Sequence, residues 1–116
     1  MFRFEELEIW KEAIRYADEM YNLSEKLPSS ENYNLISQLK RASLSISNNI
    51  AEGSGTSTKK SFCSFLDISI SSALETVNLL YFAQMRHYIT EEERLKFYNK
   101  AELLIKKIYS FKNSLK

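Results

Sequence analysis

The chain has 116 residues, of which 44% are apolar and 27% charged, with a formal net charge of +1. This balance fits one globular domain with one hydrophobic core and excludes a disordered polyelectrolyte. Near-neutrality excludes a general attraction to nucleic acid or membrane.

The single cysteine, Cys63, allows no intrachain disulfide and makes a reducing cytoplasm the expected compartment. No apolar run approaches the roughly 18 residues that suggest a membrane span. The opening Met-Phe-Arg-Phe-Glu-Glu lacks the basic-then-apolar order of a signal peptide. Two Gly and one Pro are few, which points to long helices with short connections.

In the first segment, about residues 5 to 26, Leu7, Trp10, Ile14, Ala17 and Tyr21 recur with helical period. Glu5, Glu6 and Glu8 suit the positive end of its dipole, and Pro28 ends it. The second helix is predicted from about Glu31 to Glu52, with Leu35, Leu39, Ala42, Ile46 and Ile50 inward. Gly53-Ser54-Gly55 should stop it through left-handed backbone angles. The third runs from a Ser57 or Thr58 cap to about His87, with Phe62, Leu66, Ser69, Ala73 and Leu80 on its apolar side. The fourth opens at Thr90-Glu91-Glu92-Glu93, the pattern of a capping box, and extends to about residue 113. Phe97, Ala101, Leu104, Ile108 and Phe111 form its inner stripe. Short links make neighbours antiparallel, so the reading is all-α: one domain over 1–116, an up-down-up-down antiparallel four-helix bundle.

Two helices carry more apolar surface than one bundle core needs. Beside its first stripe, helix 1 has Ile9, Ala13, Tyr16, Met20 and Leu23, so apolar residues sweep roughly 200°. Helix 4 adds Leu95, Tyr98, Ile105 and Tyr109. The core is expected to include Leu7, Trp10, Ile14, Leu39, Ile46, Ile50, Phe62, Leu66, Leu80, Leu104 and Ile108. The surplus residues Ile9, Tyr16, Met20 and Leu23 then become the expected oligomer interface.

Catalytic chemistry finds little support. His87 is the only histidine, Arg86 beside it points about 100° away, and no Glu-x-x-His pairs occur. Cys63 lies on an apolar side with only Lys59 and Lys60 near, as an inert thiol would. No catalytic, metal or cofactor residues are assigned, and the chain is expected not to be an enzyme.

The most informative polar pattern is on helix 2. Arg41, Ser45, Asn48 and Glu52 form a ridge at i, i+4, i+7 and i+11, bordered by Gln38 and Asn49. In a hairpin closing near residue 55, Arg41 comes within reach of Asp67 and, farther along, of Glu75, and Glu52 comes level with Lys59 and Lys60. The ridge is read either as a hydrogen-bonded network setting helix register or as a polar site at the helix 2–3 corner. Charge is also uneven: residues 1–26 balance to −3, residues 33–60 to +3 and residues 90–116 to +3. Lys40, Arg41, Lys59 and Lys60 are the candidate nucleic-acid contacts.

The run Ser45-Ile46-Ser47-Asn48-Asn49-Ile50-Ala51-Glu52-Gly53-Ser54-Gly55 carries a specific resemblance. With Gln38-Leu39-Lys40-Arg41-Ala42, Phe4-Glu5-Glu6-Leu7-Glu8-Ile9-Trp10-Lys11, Lys59-Lys60-Ser61-Phe62 and Ser72-Ala73-Leu74-Glu75-Thr76, it resembles the bacterial four-helix-bundle family of 23S rRNA intervening-sequence proteins. The resemblance implies an up-down bundle assembled as a ring-like homopentamer. Some members are encoded within intervening sequences of large-subunit rRNA genes, and a related branch, the accessory proteins of diversity-generating retroelements, binds nucleic acid and a reverse transcriptase. The chain departs from the family pattern at Ser47, where proline is frequent, and at Ile70, where an arginine often precedes the small-residue pair. The functional expectation is a non-enzymatic oligomeric adaptor for structured RNA or DNA or for a reverse transcriptase-like enzyme. The alternative is a purely protein-binding or structural homo-oligomer with no nucleic-acid role.

Overall fold

The computed structural model describes residues 1–115. Four helices run antiparallel: α1 (Glu8–Ser24), α2 (Leu35–Ser54), α3 (Lys59–Met85) and α4 (Glu91–Ser114). Short 3-10 turns at Arg3–Glu6 and Ser29–Glu31 precede α1 and α2. Each helix packs on its sequence neighbours and α4 returns beside α1, giving an up-down-up-down bundle of 44 × 23 × 21 Å. Among the described residues there is no strand, and no helix is long and apolar enough to cross a membrane.

Helix ends follow local chemistry. Thr58 caps α3 by accepting from the Ser61 N–H at 3.1 Å. The expected capping box opens α4: Thr90 Oγ1 accepts from the Glu93 N–H at 3.1 Å, and Glu93 Oε1 accepts from the Thr90 N–H at 2.9 Å. The first two helices start later than the pattern suggests. Leu7 is extended (ψ 124°) and divides the first predicted helix into a turn and α1. The turn is tied by the Phe2 N–H donating to Glu5 and by Phe4 packing on Trp10 at 4.9 Å.

The end of α2 corrects the glycine expectation. The helix continues through Gly53 and Ser54, Gly55 keeps φ −92°, and neither glycine has positive φ. The left-handed residue is instead His87, at φ 63°. It closes α3 as the Tyr88 N–H reaches the Ala83 carbonyl at 3.0 Å and the His87 N–H reaches Gln84 at 2.9 Å. These two bonds form the Schellman pattern that most often uses glycine at this position.

The core holds Leu39, Ile46, Ile50, Phe62, Leu66, Leu80, Leu104 and Ile108 as expected. On α1 the expectation is reversed. Ile9, Tyr16, Met20 and Leu23 lie inside the bundle, each no more than 5% exposed, so they form no oligomer interface. Ile14, assigned to the core, and Tyr21 of the same stripe are 38% and 36% exposed, while Leu7 and Trp10 pack half-buried at its rim. Both stripes have helical period, so periodicity alone does not choose between them. The inward stripe includes Ala13, which lets helices approach closely, and Tyr16, whose hydroxyl meets Thr76 Oγ1 on α3 at 2.8 Å. That bond removes the penalty of burying a phenol.

Burial pushes the Tyr16 phenol up to about 12, with the charge of Glu19 adding to the rise and the Thr76 hydrogen bond opposing it. The folded state thus favours the neutral ring more than the unfolded chain does, whose tyrosine titrates near pH ~10. This contribution is complete below pH ~10 and is lost as pH rises through about 12. Urea titrations should show about 2–3 kcal/mol disappearing across that window, and Tyr16→Phe should remove that component of the alkaline loss. At His87, replacement by glycine should raise stability by about 1 kcal/mol by relieving the left-handed cost, read from the same denaturation curves.

Candidate interaction surfaces

The polar ridge of α2 divides into a fixed half and a free half. Ser45 Oγ meets Ser72 Oγ of α3 at 2.8 Å, and Asn49 Nδ2 donates to the Ser45 carbonyl at 2.8 Å and to its hydroxyl at 3.0 Å. Arg41 pairs with Glu75 at 2.7 Å, while Asp67 pairs with Lys112 of α4. The Arg41 pair is largely exposed, so its worth is at most about 1 kcal/mol. Asn48 and Glu52 face solvent with no side-chain partner among the described residues, and Glu52 makes no ion pair with Lys59 or Lys60.

Gly53 belongs to the packing. A Cβ placed on it would lie 2.7 Å from Phe65 Cβ and 2.8 Å from Phe62 Cδ1, so α3 seats against bare backbone there. Farther along the same interface, Ser69 Oγ donates to the Ile46 carbonyl at 2.8 Å. The ridge is therefore mostly a register device between α2 and α3, with Asn48 and Glu52 left available.

The candidate nucleic-acid contacts are not brought together within one chain. Lys40 and Arg41 precede the α2 C-terminus by more than three turns, roughly 20 Å at 1.5 Å per residue, whereas Lys59 and Lys60 open α3 beyond that end. The Lys40 ammonium sits 4.8 Å above the Tyr21 ring. Lys59 and Lys60 are exposed, at the end of a helix where cations are disfavoured.

The charge asymmetry of the sequence resolves inside the bundle. Glu12 pairs with Lys107, Glu19 with Lys96 and Lys100, and Glu93 with Lys26, all across the α1–α4 seam. The Lys26 bond and the Thr90 backbone hold the Glu93 carboxyl below its ordinary range.

Several of the exposed apolar side chains lie on two opposite sides, while Leu103 lines the α1–α4 side and Ile68 and Phe82 are exposed elsewhere on α3. Between α1 and α2, Ile14, Ala17, Asp18, Tyr21 and Leu44 line a shallow hollow of ≈ 340 Å³. Between α3 and α4, Leu74, Tyr81 and Met85 are exposed on one helix and Tyr109 on the other, with Tyr98 and Ile105 half-buried. The outward set on α4 is the one the sequence suggests; the outward set on α1 is not. Arg94 was also missed. It is 8% exposed, donates Nε to Gln84 Oε1, and lies 4.2 Å above the Tyr81 ring. Its position three before Phe97 and seven before Ala101 continues the inner stripe of α4, a signal present in the sequence. Cys63 is half-buried, and no three His, Cys, Asp or Glu side chains converge among the described residues.

The model of the family described as 23S rRNA-intervening sequence protein matches residues 5–110. A crystal structure from Bacteroides thetaiotaomicron, of a protein with unknown function from the S23 ribosomal protein family, superposes with a TM-score of 0.82. It is 24% identical and covers 89% of this chain and 96% of its own, a likeness of fold. No curated protein matches.

Two glycines two residues apart should behave differently on substitution. Gly53→Ala should cost about 1–3 kcal/mol through overpacking against Phe62 and Phe65. Gly55→Ala, whose new Cβ would meet only the Glu52 carbonyl at 3.6 Å, should change stability by less than about 0.5 kcal/mol. Asn48→Ala should be as mild as Gly55→Ala, and chemical denaturation of the three variants checks all of these values.

Proposed function

We propose, from the premise that this chain belongs to the 23S rRNA-intervening sequence protein family, that it is a non-enzymatic assembly module that works as a homo-oligomer. The observation carrying this reading is the pair of apolar faces on opposite sides of the bundle, α1/α2 and α3/α4. Exposed apolar surface of this kind is a common mark of protein interfaces. Because the two faces differ in composition, the natural contact joins one face of a subunit to the other face of the next. Such heterologous contacts close into rings when the rotation permits, and the family resemblance implies five subunits. A single free cysteine suits work in the cytoplasm.

The electrostatics favour protein over nucleic acid as the primary partner of one subunit. Lys26, Lys96, Lys100, Lys107 and Lys112 all lie in ion pairs, and the remaining candidates are far apart. A second reading draws on Lys59 and Lys60, exposed and without a carboxylate partner among the described residues. A ring would repeat this pair at one end of every subunit, where several phosphate contacts add up to an adaptor for RNA, DNA or an enzyme acting on them. Binding of that kind would fall steeply with added salt.

Light scattering over a micromolar concentration range should give a mass that is a multiple of the 13.6 kDa chain. Tyr21→Glu or Leu74→Glu, each on an exposed position, should return the monomer without loss of helical circular dichroism. A monomer mass for the unaltered protein at every concentration would overturn the reading.

A further inference from the structure

Several charged side chains enter no ion pair among the described residues, and two of them, of opposite sign, lie at the two apolar faces. On the α1/α2 face Asp18 is exposed, one turn from Ile14 and one from Tyr21, at the edge of the hollow they line with Leu44. Its neighbours Glu12 and Glu19 are paired with lysines of α4, whereas Asp18 enters no ion pair among the described residues. Lys40 of α2, which likewise enters no ion pair among the described residues, is placed over the Tyr21 ring.

On the α3/α4 face the corresponding group is Arg94. Its Nε is taken by Gln84 and its guanidinium carbon lies 4.2 Å from the centre of the Tyr81 ring, yet no carboxylate stands within ion-pair distance among the described residues. Among the described residues no fully buried side-chain nitrogen lacks a hydrogen-bond partner. The two Nη groups, which have no acceptor among those residues, therefore keep a narrow opening to the surface, although Arg94 as a whole is only 8% exposed. A guanidinium held over an aromatic ring, with donors left unused, is pre-organised for a carboxylate. Arg and Tyr are also the residue types that dominate binding energy at the centres of interfaces.

We infer that Asp18 of one copy of this chain pairs with Arg94 of the next, so that this charge pair sets the direction and register of the face-to-face contact. The inference rests on the self-association proposed above and names the residues that specify it. An Asp18–Arg94 contact joins unlike faces, which a symmetric pairing of like faces does not. The pair thus favours the heterologous arrangement by attraction across it.

The experiment compares the unaltered protein with Asp18→Arg, Arg94→Glu and the double charge reversal by analytical ultracentrifugation, with circular dichroism as the control for folding. Asp18→Arg should weaken association at least tenfold while leaving helicity intact, and the double reversal should recover most of the loss. A monomeric unaltered protein would remove both the assembly reading and this inference. An oligomer that Asp18→Arg leaves at its original affinity would overturn the inference alone. Because Arg94→Glu could unfold the bundle, a second measurement avoids that residue. Cysteines placed by Asp18→Cys and by Tyr81→Cys, in a Cys63→Ser background, should be joined between subunits by a short bismaleimide. Failure to crosslink in a protein that still assembles would overturn the pairing.

Discussion

The close seating of α3 on α2 is the constraint on which the rest of the bundle depends. At Gly53 the two helices leave no room for a methyl group, because Phe65 and Phe62 occupy the space a Cβ would need. Hydroxyl groups continue the contact, with Ser69 bonding the Ile46 carbonyl and Ser45 meeting Ser72. Small side chains permit the approach, and directional bonds to backbone and hydroxyl oxygens choose one register among the several that apolar contact alone would accept. With that hairpin fixed, the orientation of α3 determines where Thr76 stands, and Thr76 receives the Tyr16 hydroxyl of α1 across the bundle.

The α1–α4 seam is built on a different principle. Its edges are lined by carboxylates on one helix and ammonium groups on the other, with Lys26 and Glu93 in the reverse sense at one end. Exposed pairs of this type contribute little stability individually. Their consequence is that the acidic opening and the basic close of the chain neutralise each other across the seam. Part of a charge distribution that forms separate patches in sequence is thus paired off across this seam.

That neutralisation bears on function. A nucleic-acid surface on one subunit would require cations grouped and free, whereas seven of the fifteen described lysines and arginines lie in ion pairs and the others are dispersed. The apolar side chains behave oppositely: folding sets several of them side by side on two faces, each built from two helices consecutive in sequence. Arg94 and Asp18 stand out against those faces because each is a charge set among apolar and aromatic groups.

Sequence alone determined the four helices, their antiparallel order, the Thr90–Glu93 cap and most of the core on α2, α3 and α4, because each of these depends on contacts within a few residues or on a single apolar stripe. The side of α1 that turns inward was decided only by the tertiary structure. Ile9-Ala13-Tyr16-Met20 and Trp10-Ile14-Tyr21 have equal periodicity, and the choice rests on how closely Ala13 lets neighbours approach and on a hydroxyl partner sixty residues away. Gly53 shows the same limit: a glycine before a loop reads as a helix stop, yet its role is the space it leaves for Phe62 and Phe65. His87 takes the left-handed position that a local reading assigns to glycine, because the bonds that close α3 fall there. The ridge of α2 was legible as a row of polar residues. Which of them would be tied down and which left free was not, since that depends on the register of a helix that meets them only in the folded chain.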